Sequence, residues 1–398
     1  SSAASDVYKR QTANRSIRCL NSEVRKLEYK LDFMGLPLKN AVIVAAGPWA
    51  GDARSIQKCI DAGAAAVITE TIVMEESALF GPRVYYENEE LLNISLYGHR
   101  PLEEWEEQVE RIHKKGSFLI CSIRGSSPSE LAYIARRAER LGADALQLDL
   151  FAPMDAMLEE INMRPEKLYE MTKCVTGTVK IPVMARLPHN ISASTAYIRA
   201  LERAGVSAIS AIESLRGISG VDLENRRTKM PTYGGYTGKH IRPVSLAATA
   251  TLSQMTDCQI CGVGGVETYE NILEFMMLGA ATAQLGSVIM LKGYDVITET
   301  VKGLAGWMES HGCQSYGEII GAALPTLSPY EKIERMRAVS CLTEPCGDRD
   351  CGLCVRGCMY EALTFGEDGV RCDPALCTGC GLCVQRCPRG CLLYTSPS

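Results

Sequence analysis

From Cys341 to the end, the chain carries eleven of its eighteen cysteines. Cys377, Cys380, Cys383 and Cys387, followed by Pro388, read Cys-x2-Cys-x2-Cys-x3-Cys-Pro, the bacterial iron–sulfur run. In that run three close thiolates cap one 4Fe-4S cubane and the fourth reaches a neighbouring cluster. Cys346, Cys351, Cys354 and Cys358 repeat it with a stretched start, Cys-x4-Cys-x2-Cys-x3-Cys, and with Met359 in place of the proline. Crossing the fourth ligands assigns Cys346, Cys351, Cys354 and Cys387 to one cluster and Cys377, Cys380, Cys383 and Cys358 to the other. The stretched start leaves Cys341 open as a rival to Cys346. Zinc is the plainer alternative, but zinc ribbons use separated Cys-x2-Cys pairs. A disulfide framework needs an oxidising compartment, and no charged, apolar leader pattern is seen at the start of this sequence. Such residues carry single electrons.

A second set of reactive side chains is spread through the first 291 residues: Glu70, Asp149, Arg186 and Glu213, with the glycine pairs Gly264-Gly265 and Gly286-Ser287. Each follows or ends a short apolar run. Those runs, 41–45, 66–69, 118–123, 145–148, 183–185, 208–212, 259–262 and 283–285, alternate with amphipathic stretches at 55–62, 101–114, 128–141, 165–175, 193–204, 244–253, 268–278 and 294–311. Parallel strands joined by helical crossovers look like this. Gly63, Gly142, Gly205 and Gly279 fall where helices should end, which suits left-handed caps. Eight such units predict a (β/α)8 TIM barrel, with a doubly wound sheet as the competing arrangement.

A barrel fixes where its chemistry sits, because strand C-termini and the following loops build the site. The strand ends are then Ala46 and Gly47, Glu70 and Thr71, Arg124, Asp149, Arg186, Glu213, Gly264 and Gly265, and Gly286 and Ser287. The last two pairs follow strands seven and eight, where barrels hold phosphate through backbone N–H groups. Ordinary tight turns are the plainer reading of those glycines. No Gly-x-Gly-x-x-Gly opens a strand–helix unit, so the sequence shows no nicotinamide domain.

The 398 residues accommodate a large domain and a small one, expected at 26–335 and 336–391 after an extension at 1–25. Ser1–Gln11 and Cys391–Ser398 lack any hydrophobic period, and the sequence is read with both ends as extraneous, which would remove Cys391 from the ligand set. A formal charge of −5 and a pI near 5.7 leave no broad basic face, so nucleic acid is not an expected partner. No apolar run approaches the ~18 residues of a spanning helix, so a cytoplasmic protein without a membrane partner is expected.

The segments Leu36–Gly47 (LPLKNAVIVAAG), Gly63–Thr71 (GAAAVITET), Leu92–Glu103 (LNISLYGHRPLE), Gly142–Pro153 (GADALQLDLFAP), Tyr233–Pro243 (YGGYTGKHIRP) and Gly262–Gly265 (GVGG) resemble the class 1 dihydroorotate dehydrogenase family. Within it they are more similar to the iron–sulfur dihydropyrimidine dehydrogenases, and the cysteine-rich α+β segment after the barrel, a bacterial-ferredoxin-like domain, agrees with that branch. The resemblance implies an FMN at the C-terminal mouth. Ala45, Ala46, Gly47 and Thr71 would line its isoalloxazine, and Thr237, Gly238, Gly264, Gly265, Gly286 and Ser287 would hold ribityl and phosphate. Arg186 takes the position of a family lysine beside the flavin's N1 and O2 edge, where a cation stabilises the reduced anion. Its plainer role is that of a buried partner for a barrel carboxylate. Asn93 remains of the substrate-binding asparagines and completes the cofactor-proximal set. Barrels of this family often dimerise, so a homodimer is an expectation by resemblance.

The departures from the family are all at the pocket. Glu70 replaces a lysine, Asp149 and Glu213 replace asparagines, and Ala152 replaces the cysteine or serine that moves a proton. One cation and two amides have become carboxylates. Unpaired carboxylates repel an anionic substrate and raise one another's pKa. The expected substrate is therefore neither orotate nor uracil but a cationic or amine-bearing molecule, or a neutral one protonated by such a carboxyl. Glu213, Asp149 and Glu70, in that order, are the candidates for proton transfer, with Asp155 as a fourth. Pairing of Glu70 and Glu213 with Arg186, Arg124 or His189 is the competing, structural reading. The chain is expected to be a flavin oxidoreductase acting on a C–C or C–N bond, with two 4Fe-4S clusters passing electrons to an NAD(P)H-flavin subunit or a ferredoxin. The alternative is a non-catalytic electron-transfer subunit whose barrel is a docking scaffold.

Overall fold

The computed structural model describes residues 29–75, 81–95, 97–151, 164–334, 338–346, 348, 350–367 and 369–395. The expected extension at 1–25, Ala152 and Asp155 lie outside the described residues. Two compact units divide the chain at Pro325 and Thr326, ten residues before the boundary expected from sequence.

In the larger unit eight parallel strands close on themselves: β1 Val42–Val44, β2 Ala66–Ile68, β3 Phe118–Ile123, β4 Ala145–Leu148, β5 Val183–Leu187, β6 Ala208–Ala211, β7 Gln259–Val263 and β8 Thr282–Leu285. Each pairs with its neighbours in chain order, and β8 returns to β1 with Gln284 beside Ile43. The closure settles the choice between barrel and open sheet. β1, β2, β4, β6 and β8 are buried along their whole length, as strands covered by helices on one side and barrel filling on the other must be. Part of that filling is polar. Gln284 Nε2 donates to Ser210 Oγ at 3.0 Å, and the backbone N–H of Ser122 donates to Thr69 Oγ1 at 3.1 Å. These pairs satisfy one another beneath the mouth.

The crossover helices include α1 Ala53–Asp61, α2 Leu102–Glu110, α3 Pro128–Leu141, α4 Pro165–Thr176, α5 Thr195–Ala204, α6 Arg242–Met255, α7 Tyr269–Met277 and α8 Asp295–Ser310. Asp52 and Ser55 form a reciprocal capping box on α1, with Ser55 N donating to Asp52 Oδ1 at 2.7 Å. Gly63, Gly142, Gly205 and Gly279 have φ of 105°, 97°, 87° and 102°, the left-handed caps that the sequence predicts. α2 ends short of its expected limit at 114, because the next residues turn away and His113 N donates to Gln57 Oε1 at 2.9 Å.

The smaller unit pairs Val339–Leu342 with Leu392–Thr395 and Leu363–Gly366 with Gly369–Cys372, both antiparallel. Each cysteine run contributes one short helix, Leu353–Arg356 or Leu382–Arg386. The stretch set aside from Cys391 onward thus supplies a strand to this unit, and Leu392 joins Leu363 and Val370 in its core. So few apolar side chains leave much of the unit's cohesion to whatever its cysteines hold.

Candidate functional site

The loops after the strands surround one cleft at the C-terminal mouth, enclosing about 990 Å3 with its open rim. Eleven expected residues line it together: Ala46, Gly47, Glu70, Thr71, Asn93, Asp149, Arg186, Glu213, Thr237, Gly264 and Ser287. Ala45, Gly238, Gly265 and Gly286 stand behind that lining, and Gly265 packs against Arg242 at the start of α6. Asn93 and Thr237 come from outside the barrel, on Glu90–Asn93 and Gly234–Thr237, which run antiparallel with Asn93 opposite Gly235. These two strands belong to a small sheet whose residues Val84, Leu91, Asn93, Gly235 and Thr237 line the cleft.

Backbone ladders aim the polar ends. Asp149 N donates to Ile123 O at 3.1 Å and Glu213 N donates to Leu187 O at 3.0 Å, which fixes both carboxylates just past β4 and β6. Thr71 Oγ1 donates to Asp149 Oδ2 at 2.9 Å and lies 3.0 Å from Ser122 Oγ. Arg186 Nη1 stands 3.6 Å from the same Oδ2, and Arg124 Nη1 donates to the Asp149 carbonyl at 3.1 Å. Arg186 is therefore an ion-pair partner of a barrel carboxylate, as its plainer reading held, and the carboxylate is Asp149. Its Nε and Asp149 Oδ1 are buried without hydrogen-bond partners among the described residues. Buried polar atoms of this kind call for a bound group.

Glu70 makes a different bond from those expected. Its Oε2 lies 3.5 Å from His99 Nδ1, and His189 is exposed. Burial holds the Glu70 carboxyl above the ordinary carboxylate range, against the opposing charges of His99, Arg83 and Arg100. Gly51 and Gly98 make that burial possible: a Cβ on Gly51 would sit 2.9 Å from Glu70 Oε2, and one on Gly98 would sit 2.7 Å from Thr71 O and 3.4 Å from Glu70 Cγ. Glu70, Asp149 and Glu213 face Arg186 across the cleft, three carboxyl groups to one guanidinium among its described lining.

Several lining residues escape sequence reasoning. Trp49 donates Nε1–H to Ala45 O at 2.7 Å, and its ring lies where a Gly47 side chain would be. Tyr97 lines the cleft and packs under Arg124, 4.4 Å from guanidinium to ring centroid. Both sit in loops without periodicity, where only a three-dimensional contact marks them. The residues present fit a flavin: a cation with an unpartnered donor, a hydroxyl at Thr71, aromatic and backbone walls, and glycine turns after β7 and β8.

In the smaller unit Cys346, Cys351, Cys354 and Cys387 line one hollow of about 330 Å3, and Cys358, Cys377, Cys380 and Cys383 line another of about 320 Å3. The fourth cysteine of each run crosses to the other run's hollow. Cys341 lines neither; it lies opposite Leu393 in the strand pair. Among the described residues no three His, Cys, Asp or Glu side chains converge on a point that would chelate one ion. Four thiols spaced around a hollow fit a cubane, whose irons each take one cysteine.

Comparison with known proteins places these features. The family model described as Dihydroorotate dehydrogenase matches residues 28–308, and the one described as 4Fe-4S binding domain matches 373–393. The chain is 33% identical over 306 residues to the catalytic subunit of dihydroorotate dehydrogenase B (NAD(+)) of Pyrococcus abyssi, covering 74% of this chain and 99% of that protein. It is 27% identical over 394 residues to the NAD-dependent dihydropyrimidine dehydrogenase subunit PreA of Escherichia coli, covering 92% of this chain and 95% of the other. Among the described residues no helix is long and apolar enough to cross a membrane.

Proposed function

This chain belongs to the dihydroorotate dehydrogenase family, and from that premise we propose that it is an FMN- and 4Fe-4S-dependent oxidoreductase acting on a CH–CH or CH–NH group of a small substrate other than orotate or uracil. The observation that carries the substrate reading is the cleft's three carboxyl groups against one guanidinium. FMN, when bound, exchanges a hydride with the substrate, while two clusters exchange single electrons with an NAD(P)H-flavin subunit or a ferredoxin.

The chain's own residues divide the remaining work. Arg186 supplies positive charge to one wall, held in place by Asp149 and, through it, by Thr71. Thr237, Gly238, Gly264, Gly265, Gly286 and Ser287 form the polar, close-approach side for ribityl and phosphate. Ala45, Ala46, Gly47 and Thr71 bound the ring plane, with Asn93 opposite. Glu213, buried at the end of β6, is the first candidate to hold the proton that accompanies the hydride, followed by Asp149 and Glu70. A substrate carboxylate would meet like charge here, whereas an ammonium or a hydrogen-bonding amine would be attracted. Cys346, Cys351, Cys354 and Cys387 hold one cluster, and Cys377, Cys380, Cys383 and Cys358 the other.

Anaerobic purification with FMN, iron and sulfide quantified, followed by a panel of unsaturated amines and nitrogen heterocycles offered with reduced viologen, tests this reading. The expected outcome is bound FMN and turnover of an amine-bearing substrate. Turnover of uracil or dihydroorotate would overturn the charge argument, and brown protein without releasable FMN would favour the scaffold alternative.

A further inference from the structure

Each cysteine-lined hollow has a fifth cysteine at its edge. Cys372 is hydrogen-bonded to Cys377, and the Cys391 thiol is within hydrogen-bond reach of the sulfurs of both Cys346 and Cys387. At the second hollow all four nominal ligands come from regularly spaced positions. At the first, Cys346 is the irregular one, five residues before Cys351 where the bacterial run has three. The fifth thiol therefore stands beside the ligand whose placement the spacing least enforces.

Backbone contacts hold Cys391 there. Its N–H donates to Cys387 Sγ at 3.3 Å, and its carbonyl accepts from Thr343 N at 2.9 Å. Cys346 is anchored separately, its carbonyl accepting from Val370 N at 3.0 Å. Two thiols on independently fixed segments thus meet at one corner of the hollow, and both touch the region that Cys387 enters from the other run. Cys341 has no such place, since it lines neither hollow.

We propose that Cys391 is a reserve ligand of the first cluster, able to take the iron position assigned to Cys346. The inference rests on the two-cluster reading above. The exchange is a ligand substitution: Cys391 releases its thiol proton to solvent as its sulfur bonds iron, the iron–sulfur bond to Cys346 breaks, and Cys346 leaves as a thiol after taking up a proton. Iron and sulfide keep their oxidation states.

Four full-length proteins decide the matter: the unaltered chain, C346S, C391S and C346S/C391S, all isolated anaerobically, with iron and sulfide assayed and the dithionite-reduced spins counted by electron paramagnetic resonance. The unaltered chain and both single variants should hold about eight iron each, and the double variant about four. C346S should keep the full spin count with altered g-values, because a different loop now ligates iron. A C346S protein as depleted as the double variant overturns the proposal, and so does a double variant that still holds about eight iron. An unaltered chain well short of about eight iron overturns the two-cluster reading itself. If C346S is recovered without clusters, reconstituting all four with ferrous iron and sulfide repeats the comparison; C346S must then exceed the double variant or the proposal fails.

Discussion

Replacing Asp149 by asparagine isolates the charge at the centre of the mouth while keeping its shape. Asp149 Oδ2 accepts from Thr71 at 2.9 Å and lies 3.6 Å from Arg186 Nη1, with side chains only 8% and 16% exposed. At 3.6 Å and an effective dielectric near 20, the attraction is about 5 kcal/mol. Desolvating the carboxylate offsets much of it, and the asparagine carbonyl still accepts from Thr71. Removing one member of a buried pair costs about 3–5 kcal/mol when nothing replaces it. With the amide in place, D149N should lose about 2–3 kcal/mol, R186Q a similar amount, and the pair should show a coupling of about 2 kcal/mol in a double-mutant cycle. Urea unfolding followed by tryptophan fluorescence measures it cleanly, because Trp49, Trp105 and Trp307 all belong to the larger unit. Additive losses, with coupling under about 0.5 kcal/mol, would refute the pairing. A D149N protein more stable than the unaltered chain would show that desolvation outweighs attraction.

Three further substitutions probe separate parts of the reasoning. Because burial raises the Glu70 carboxyl, the native state keeps that proton to higher pH than the unfolded chain does, so stability falls as pH rises from the ordinary carboxylate range through the raised value. E70Q should remove that fall and gain on the unaltered protein above it; a difference in urea midpoint that does not vary with pH would refute the assignment. Gly264 has φ +118°, and a Cβ there would stand 2.2 Å from Ser245 Oγ, so G264A should cost about 2–4 kcal/mol in the same unfolding assay. E213Q should lower turnover of a found substrate by about 10²–10⁴-fold, and unchanged turnover removes Glu213 from proton transfer.

The barrel is readable in the sequence because its signals are local. Continuous apolar runs, glycines at four helix ends and a regular alternation of strand and helix require no knowledge of distant partners. The strand-end rule then places Glu70, Asp149, Arg186 and Glu213 around one cleft. Partnerships are another matter. His99 follows Glu70 by 29 positions, and nothing local tells that it, and not Arg186, lies beside that carboxylate. Trp49 sits in a turn, and its role as a wall appears only when its ring is seen over Gly47. Spacing identified eight cysteines, yet it offered Cys341 as the rival to Cys346; strand pairing brings Cys391 there instead, from a stretch without any periodic signal.

The exchange of a lysine for Glu70, which the resemblance implies, does more than reverse a charge. A lysine is a fixed cation, whereas a buried carboxyl with a raised pKa is a hydrogen-bond donor when protonated and an anion when not. A substrate carboxylate loses its partner in either form, although it can accept a hydrogen bond from the acid. An ammonium group gains a partner only once Glu70 has ionised. A neutral heterocycle with an acceptor nitrogen prefers the opposite state. The two substrate classes therefore predict opposite slopes: through the raised Glu70 pKa, KM for a cationic substrate should fall as pH rises, and KM for a neutral acceptor should rise. E70Q, which cannot ionise, should flatten either slope, so pH profiles of KM on the first substrate found, with and without that substitution, identify which chemistry the pocket selects. Equal slopes in the two proteins would remove Glu70 from substrate contact and leave selection to Asp149 and Glu213.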